Sequence, residues 1–443
     1  MNKSILFSTL LLVAVNASLA QSNLLQSGPM LGYSDMREVL LWVQTSEAAT
    51  VHFEYWEVDT LGQSIGERFN TEKILTAKAN AFTAKIIADE VQPSKTYDYS
   101  LFINNQVVAL DYPTTFQSQT LWQWRFEPPA FTVALGSCNY VNDSIYDRPG
   151  RPYGNYYDIF TSIHKKRPDV MIWLGDNTYL READWSTRTG ILHRYTHTRS
   201  VPELQPLLAS THHYAIWDDH DFGPNNSDRS YIHKDKTLEA FKLFWGNPSY
   251  GMPDVKGGIT THFQWNDIEF FMLDNRYFRS PNDRESGEST ILGEEQLEWL
   301  IDALTANKAT FMMVAIGGQV LNTLEKWENY IHKHSKERSK ILRRIEQENI
   351  KNVIFLSGDR HHSELSKLVN GAGNTIYDLT CSPLTSGTGQ RDEENRLRVP
   401  DTIVTERNFG LLSFSGPRKE RQLKIQLFNT AGEELWVRTI SAE

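Results

Sequence analysis

The sequence predicts an α/β protein in which a small all-β sandwich precedes a larger domain of alternating strands and helices. Two observations carry this. Up to about residue 117, short runs alternate apolar and polar residues, and no segment shows a convincing helical period. From about residue 130, short apolar runs alternate with segments whose apolar residues recur at i, i+3, i+4 and i+7. That is the pattern of buried strands and amphipathic helices. With 443 residues the chain is long enough for about two or three domains, and it can bury a core without disulfide staples.

The N-terminus reads as an export signal. Met1-Asn2-Lys3 is a short basic start, and Ile5 to Val15 is an apolar run too short to span a bilayer. Ser18-Leu19-Ala20 offers small residues before a cleavage at Gln21. Residues 1–20 are therefore expected to be a signal peptide. No twin-Arg pair accompanies it and no Cys follows the cleavage site, which points to the general secretory route and a periplasmic or extracellular protein. No later apolar run is long enough for a transmembrane anchor.

Residues 24–117 are expected to form the sandwich. Val39-Leu40-Leu41-Trp42-Val43 is a short apolar run, and Val51, Phe53 and Tyr55 alternate with polar neighbours, as do Phe82 to Ala88 and Tyr97 to Ile103. Asn104-Asn105 tolerates positive φ and signals a hairpin. Residues 118–129 read as a connector docked by Trp122, Trp124 and Phe126. In residues 130–443, Tyr156, Ile159, Phe160 and Ile163 share a helix face that should end before Pro168. Leu297, Leu300, Ile301 and Leu304 mark a second helix, and Ile341, Leu342 and Ile345 a third. From Leu411 to Val437 strands are expected, with a turn near Ala431-Gly432.

The formal charge is −10, with basic residues scattered, which argues against a nucleic-acid-binding module or a polybasic membrane binder. Two cysteines, Cys138 and Cys381, exclude a disulfide scaffold, although they could pair with each other.

The chemistry-bearing motifs sit where the predicted strands end. Phe131 to Leu135 runs into Gly136-Ser137-Cys138-Asn139, and Val170 to Leu174 into Gly175-Asp176-Asn177-Thr178-Tyr179. Tyr214 to Trp217 runs into Asp218-Asp219-His220-Asp221, and Val353 to Leu356 into Ser357-Gly358-Asp359-Arg360-His361-His362. Ligands of open α/β sheets bind outside the carboxyl ends of strands, so these clusters can converge. Each has an ordinary reading: Gly-Asp as a turn, Asp-Asp-His-Asp as a cap or solvated loop, the histidines as surface residues, Cys138 as a buried small hydrophobe. Their conjunction favours a metal site. Asp218, Asp219 and Asp221 repel one another unless a cation neutralises them. Carboxylates suit hard cations and imidazole suits iron or zinc, whereas a Tyr179 phenolate or a Cys138 thiolate calls for a strong Lewis acid such as ferric iron. We therefore expect Cys138 to be a metal ligand rather than half of a disulfide.

These motifs resemble the alkaline phosphatase D (PhoD-type) branch of the calcineurin-like metallophosphoesterases. The resemblance covers nearly the whole chain after the signal peptide. It rests on Gly136 to Cys138, Gly175 to Tyr179, Trp217 to Asp221 and Ser357 to His361, with support from Leu273 to Arg279, Leu292 to Leu300 and Ile316 to Val320. It implies a two-sheet αββα metallophosphoesterase sandwich preceded by an immunoglobulin-like domain. It also implies metal-dependent hydrolysis of phosphate mono- or diesters by in-line attack of a metal-bound hydroxide.

The roles implied by that resemblance are specific. Cys138 would be the first ligand of a ferric ion, Asp176 the carboxylate bridging two metals, and Tyr179 a phenolate on iron. Asp219 or Asn225 would take the place of a metal-binding Asn, and Asp359 and His361 would be the last ligands. His220 would stand near the leaving group. Arg360, and Arg276 and Arg279 after another strand, are candidates to fork onto phosphate, with ordinary salt bridges as the alternative. The cofactors implied are Fe3+ and Ca2+, with Zn, Mn or Mg as second-site alternatives. Most metallophosphoesterases begin with Asp-x-His, carry a His near the position of Gln319 and end in Gly-His-x-His; this chain departs at all three places, which disfavours a Zn or Mn pair. The expected substrate is a small-molecule or polymeric phosphoester, and the expected state a monomer. Two rival readings are a hydrolase of another tetrahedral ester such as sulfate, and a non-catalytic metal- or glycan-binding surface protein.

Overall fold

The structure, a computed structural model, describes residues 24–389 and 394–443, so the expected signal peptide lies outside the described residues. The N-terminal region contributes nine strands: β1 (Leu25–Ser34), β2 (Val39–Thr45), β3 (Thr50–Val58), β4 (Ser64–Asn70), β5 (Ile74–Leu75), β6 (Thr83–Ala88), β7 (Thr96–Ile103), β8 (Gln106–Val107) and β9 (Thr115–Gln117). Asn104 and Asn105 turn β7 into β8 with φ of 52° and 62°, as their tolerance of the left-handed region predicts.

Alternation resumes after the connector. The chain runs through β10 (Phe131–Gly136), α1 (Asp158–Lys165), β11 (Val170–Leu174), α2 (Arg188–Arg199), α3 (Gln205–Ser210), β12 (His212–Ile216), α4 (Asp219–Phe222) and α5 (Lys234–Phe244). It continues through β13 (Thr261–Trp265), β14 (Ile268–Met272), α6 (Gly293–Ala306), β15 (Phe311–Ala315), α7 (Tyr330–Gln347) and β16 (Val353–Ser357). It ends with β17 (Glu364–Val369), β18 (Thr375–Thr380), β19 (Asn408–Ser415), β20 (Gln422–Asn429) and β21 (Glu434–Ser441).

The protein is a two-sheet αββα sandwich with an all-β N-terminal region. The first sheet has the order β21-β20-β19-β10-β11-β12-β1-β2-β6, and the second β13-β14-β15-β16-β18-β17. Strands β10, β11 and β12 are parallel neighbours, as are β14, β15 and β16. The sheets pack face to face: Leu135, Ile172 and Ala215 share a core with Phe270, Met313 and Leu356. The outer face of the second sheet is covered by α6, through Leu297, Leu300, Ile301 and Leu304, and by α7, through Ile341 and Ile345. These are the periodic positions of the sequence. In α1, Ile159, Phe160 and Ile163 are buried, but Tyr156 lies before the helix at φ 59° and is exposed.

The N-terminal region is more firmly joined than two beads on a string. Strand β1 pairs in parallel with β12, at Leu31 and His212, so β1, β2 and β6 extend the first sheet. Their outer faces meet a third sheet of β4-β3-β7-β8, with β5 and β9 at its margins, to close the small sandwich. This explains the unbroken run at 39–43. Leu40 and Trp42 face the large core of the α/β domain, while Val39, Leu41 and Val43 face the sandwich core. A strand buried on both faces reads as continuous rather than alternating. In the connector Trp122 is buried, but Trp124 turns outward at φ 65° and Phe126 is half-exposed, so Trp122 docks without them.

Candidate metal centre

The four motifs leave the same edge of the two sheets. Cys138 follows β10, Asp176 and Tyr179 follow β11, Asp218 to Asp221 follow β12, and Asp359 to His361 follow β16. Glycines allow the loops to close on one another. A Cβ on Gly175 would stand 2.7 Å from the Cβ of Asp218, and one on Gly358 would stand 2.7 Å from the carbonyl oxygen of Leu174. Cys138, Asp176, Asp359 and His361 all adopt left-handed backbone, with φ between 53° and 65°. Non-glycine residues reach that region at a cost, and such positions cluster at functional sites. Backbone bonds stitch the loops: Cys138 N donates to Gly175 O at 3.2 Å, Asn139 N to Asp176 O at 2.8 Å, and Leu180 N to His220 O at 3.1 Å.

Asp176, Tyr179, Asp219, His220, Asp359 and His361 line one cavity of about 1050 Å³, and Cys138 is buried against Asp176. Cys138 Sγ stands 3.6 Å from Asp176 Oδ2, and Tyr179 Oη donates to the same oxygen at 3.1 Å. Tyr179 Oη is 3.4 Å from His361 Nε2, and its ring stacks on His220 with centroids 4.3 Å apart. Asp176, Asp219 and His220 each offer a ligand atom within 4.8 Å of the others, a group able to hold a metal ion. Asp219 Oδ1 and His220 Nδ1 are buried with no hydrogen-bond partner, although Arg276 Nη2 stands 3.9 Å from the former. Buried polar atoms are ordinarily paired, so these orphaned donors fit a cation. Burial pushes the Cys138 thiol and the Asp176 carboxyl well above their usual ranges, and neighbouring carboxylates add to both. Only a local positive charge would make that thiol a good ligand. Burial likewise raises Asp359 to about 7, helped by Asp218 and Glu328. Asn225 lines the cavity from an exposed position beside Asp219, whose Oδ2 accepts the Asn226 N–H at 2.5 Å.

The acidic motif resolves into three different tasks. Asp218 is buried behind the cavity, ion-paired to Arg276 Nε and hydrogen-bonded by Asn275 at 2.8 Å. Asp221 caps α4 and accepts three backbone N–H groups: Thr178 at 2.9 Å, Asp218 at 3.0 Å and Asn177 at 3.2 Å. Only Asp219 of the three faces the cavity. The mutual repulsion expected from the sequence is thus relieved mostly by protein groups. Two acids flank His220 in sequence and would by themselves favour its protonated form. Asp221 instead turns away into the backbone. Burial is the largest influence on the imidazole and lowers it; Asp219 opposes this and Arg181 reinforces it.

Two candidate phosphate-binding residues are occupied elsewhere. Arg276 is buried, pairing with Asp218 and with Glu328 Oε2 at 2.6 Å, and Arg279 pairs with Glu328 Oε1 at 2.9 Å. Neither lines the cavity, because Glu328 stands between them and it. Arg360 does line it. Cys138 and Cys381 are both free thiols, and Cys381 Sγ lies 3.4 Å from Leu135 O. Gln319 is buried and bonds Glu364 and Thr380, each at 2.8 Å. Several residues outside the motifs shape the site. Ser382 Oγ is 3.2 Å from Cys138 Sγ and accepts the His361 N–H at 3.0 Å. Tyr153 Oη is 3.0 Å from His361 Nδ1. Ser382 follows β18 much as the motifs follow their strands, the one signal that could have found it.

Two packed sheets whose strand ends gather carboxylates, imidazole, a phenol and a thiol form a candidate metal site of a phosphoesterase fold. The chain belongs to the PhoD-like phosphatase family, whose model matches residues 133–416. Residues 22–121 match a domain of unknown function (DUF7800). Alkaline phosphatase D of Bacillus subtilis (strain 168) is 22% identical over 339 residues, covering 65% of this chain and 54% of that protein. The match therefore spans about half the length of that relative. A solved structure described as the structure of PhoD superposes with a TM-score of 0.74 at 17% identity, covering 95% of this chain and 91% of that one. At that identity the likeness shows the fold.

Proposed function

We propose that this chain is a metal-dependent hydrolase of phosphate mono- or diesters, acting as a monomer after export to the periplasm or outside the cell. The observation that carries the reading is the convergence of Asp176, Tyr179, Asp219 and His220 in one large cavity, with Cys138 buried against Asp176 and with buried atoms on Asp219 and His220 that lack a hydrogen bond. Cys138, Asp176, Tyr179 and His361 would hold Fe3+, and Asp176, Asp219, Asn225 and Asp359 a harder cation such as Ca2+. Bound there, these ions would neutralise phosphoryl oxygens and acidify a water. In the reaction a water oxygen bonds to phosphorus in line as the bond to the leaving oxygen breaks, and the leaving alkoxide takes a proton. His220 supplies or polarises that proton, and Arg360 holds a phosphoryl oxygen. The grouping of His220 with Asp176 and Asp219 within 4.8 Å favours a second role for it, as a metal ligand. Residues 24–117 would serve as a packing and positioning module for the catalytic sheet.

The test is turnover on matched aryl phosphate monoesters, phosphate diesters and sulfates, with metal analysis of the same sample. Phosphoester turnover with bound metal is expected. Turnover of sulfate alone, or of nothing by metal-replete protein, would overturn the reading.

A further inference from the structure

The cavity is far larger than a phosphoryl group fills, and its wall on the His220 side carries a positive charge that the protein leaves mostly unanswered. Leu180 N donates to His220 O at 3.1 Å, which sets the next residue, Arg181, at the shoulder of the imidazole. Arg181 lines the cavity and is only 9% exposed. Its backbone N–H is fixed by Asp184 Oδ2 at 2.9 Å, but the Asp184 carboxylate is already paired with Arg194 at 2.8 Å. The Arg181 guanidinium makes no hydrogen bond to any described residue, and its Nε is a buried atom without one. The nearest acid, Glu182 Oε2, is 3.5 Å away, on a half-exposed side chain shared with Arg148 at 3.1 Å. Arg276 and Arg279, by contrast, have both partners and hydrogen bonds inside the protein. A buried guanidinium with idle donors is costly unless an anion completes it. Arg148 and Arg151 line the same wall further out.

We propose that Arg181 is the anchor of an anion subsite on the leaving-group side of the centre, so that the preferred substrates are phosphoesters whose leaving group carries a second negative charge close to the ester oxygen. The proposal rests on the phosphoester reading above. The guanidinium fork suits a carboxylate or a second phosphate; Lys would supply charge without the fork. Its role is specificity: it orients the leaving group that His220 serves.

The test uses non-hydrolysable probes on metal-replete protein. Calorimetry compares ω-phosphonocarboxylates of two to four carbons with alkylphosphonates of the same length. The best carboxylate-bearing probe is expected to bind wild type at least ~10-fold more tightly than its alkyl partner. Arg181→Met should bring that ratio to within about threefold of unity, and Arg181→Lys should keep part of it. The same pattern should appear in kcat/KM for 3-phosphoglycerate against glycerol 3-phosphate. Equal binding of both probe types by wild type, or an unchanged ratio in Arg181→Met, would overturn the subsite. Failure of every phosphonate to bind would instead overturn the phosphoester reading on which it rests.

Discussion

Asp221 offers a prediction that the structure quantifies. Its carboxylate is fully buried and joins the loop carrying Asp176 and Tyr179 to the turn carrying Asp219 and His220. Asp221→Ala strands three backbone N–H groups. Each buried donor left without an acceptor costs about 1–3 kcal/mol. Water entering the vacated volume relieves part of this, so the loss should fall near 3–5 kcal/mol in all. Asp221→Asn is milder. An amide oxygen placed at Oδ2 keeps the bonds from Asn177 and Asp218, while the amide nitrogen faces the Thr178 N–H. One lost bond should cost about 1–3 kcal/mol. Urea unfolding followed by tryptophan fluorescence measures both, and elemental analysis should show reduced metal in the alanine variant because two ligand-bearing loops lose their common fastening. An Asp221→Ala protein within about 1 kcal/mol of wild type, with full metal, would refute the reasoning.

Other expectations follow from particular contacts. Arg276→Leu leaves Asp218 and Glu328 buried without their shared cation, and should lower stability by roughly 3–5 kcal/mol in urea unfolding; an unchanged midpoint would contradict this. The Lys85 ammonium, bonded to Tyr250 Oη at 2.9 Å, is pushed down to about 7 by burial, with Lys242 adding to the effect. Between pH 7 and 9.5 the unfolded chain therefore binds more protons there, and stability should rise with pH; Lys85→Met should flatten that rise in thermal melts at several pH values. Mass mapping of alkylated, denatured protein should find Cys138 and Cys381 as separate thiols, and a stoichiometric bridge would refute this arrangement. His220→Asn should slow alkyl phosphates by ~10²–10⁴-fold and activated aryl phosphates much less, with metal retained. Loss of metal would reassign His220 as a ligand.

The α/β domain and the site's location were legible because each buried strand is an apolar run broken abruptly by polar residues, whereas the two-sheet arrangement came from the family resemblance of the motifs. The same abrupt ends told which loops meet. The joining of β1, β2 and β6 to the first sheet was not inferred, although Val39 to Val43, apolar on both faces, hinted at it. Tyr156 and Trp124 fit local patterns but lie at positive φ, where the chain leaves the element that the pattern assumes. Arg276 and Arg279 resembled free phosphate-binding groups because Glu328, which occupies them, lies about fifty residues away in sequence. Asp218, Asp219 and Asp221 look alike in a motif; only three-dimensional direction separates a buried ion pair, a cavity-facing donor and a backbone cap. Arg181 stands only two residues beyond Tyr179 but outside the motif that ends there, and Ser382 comes to the centre because β18 lies beside β16 in the second sheet.

In the function proposed above, these donors hold the metal on which phosphoester hydrolysis depends. The most direct test is to strip the protein with chelator, then restore Fe3+ and Ca2+ stepwise while recording metal stoichiometry, visible absorbance and aryl phosphate turnover. The expected result is an inactive, colourless stripped protein, recovery of turnover with bound metal, and a visible charge-transfer band that Tyr179→Phe shifts or bleaches. Full turnover by metal-free protein, or undiminished metal binding after Asp176→Asn and Asp219→Asn together, would contradict it.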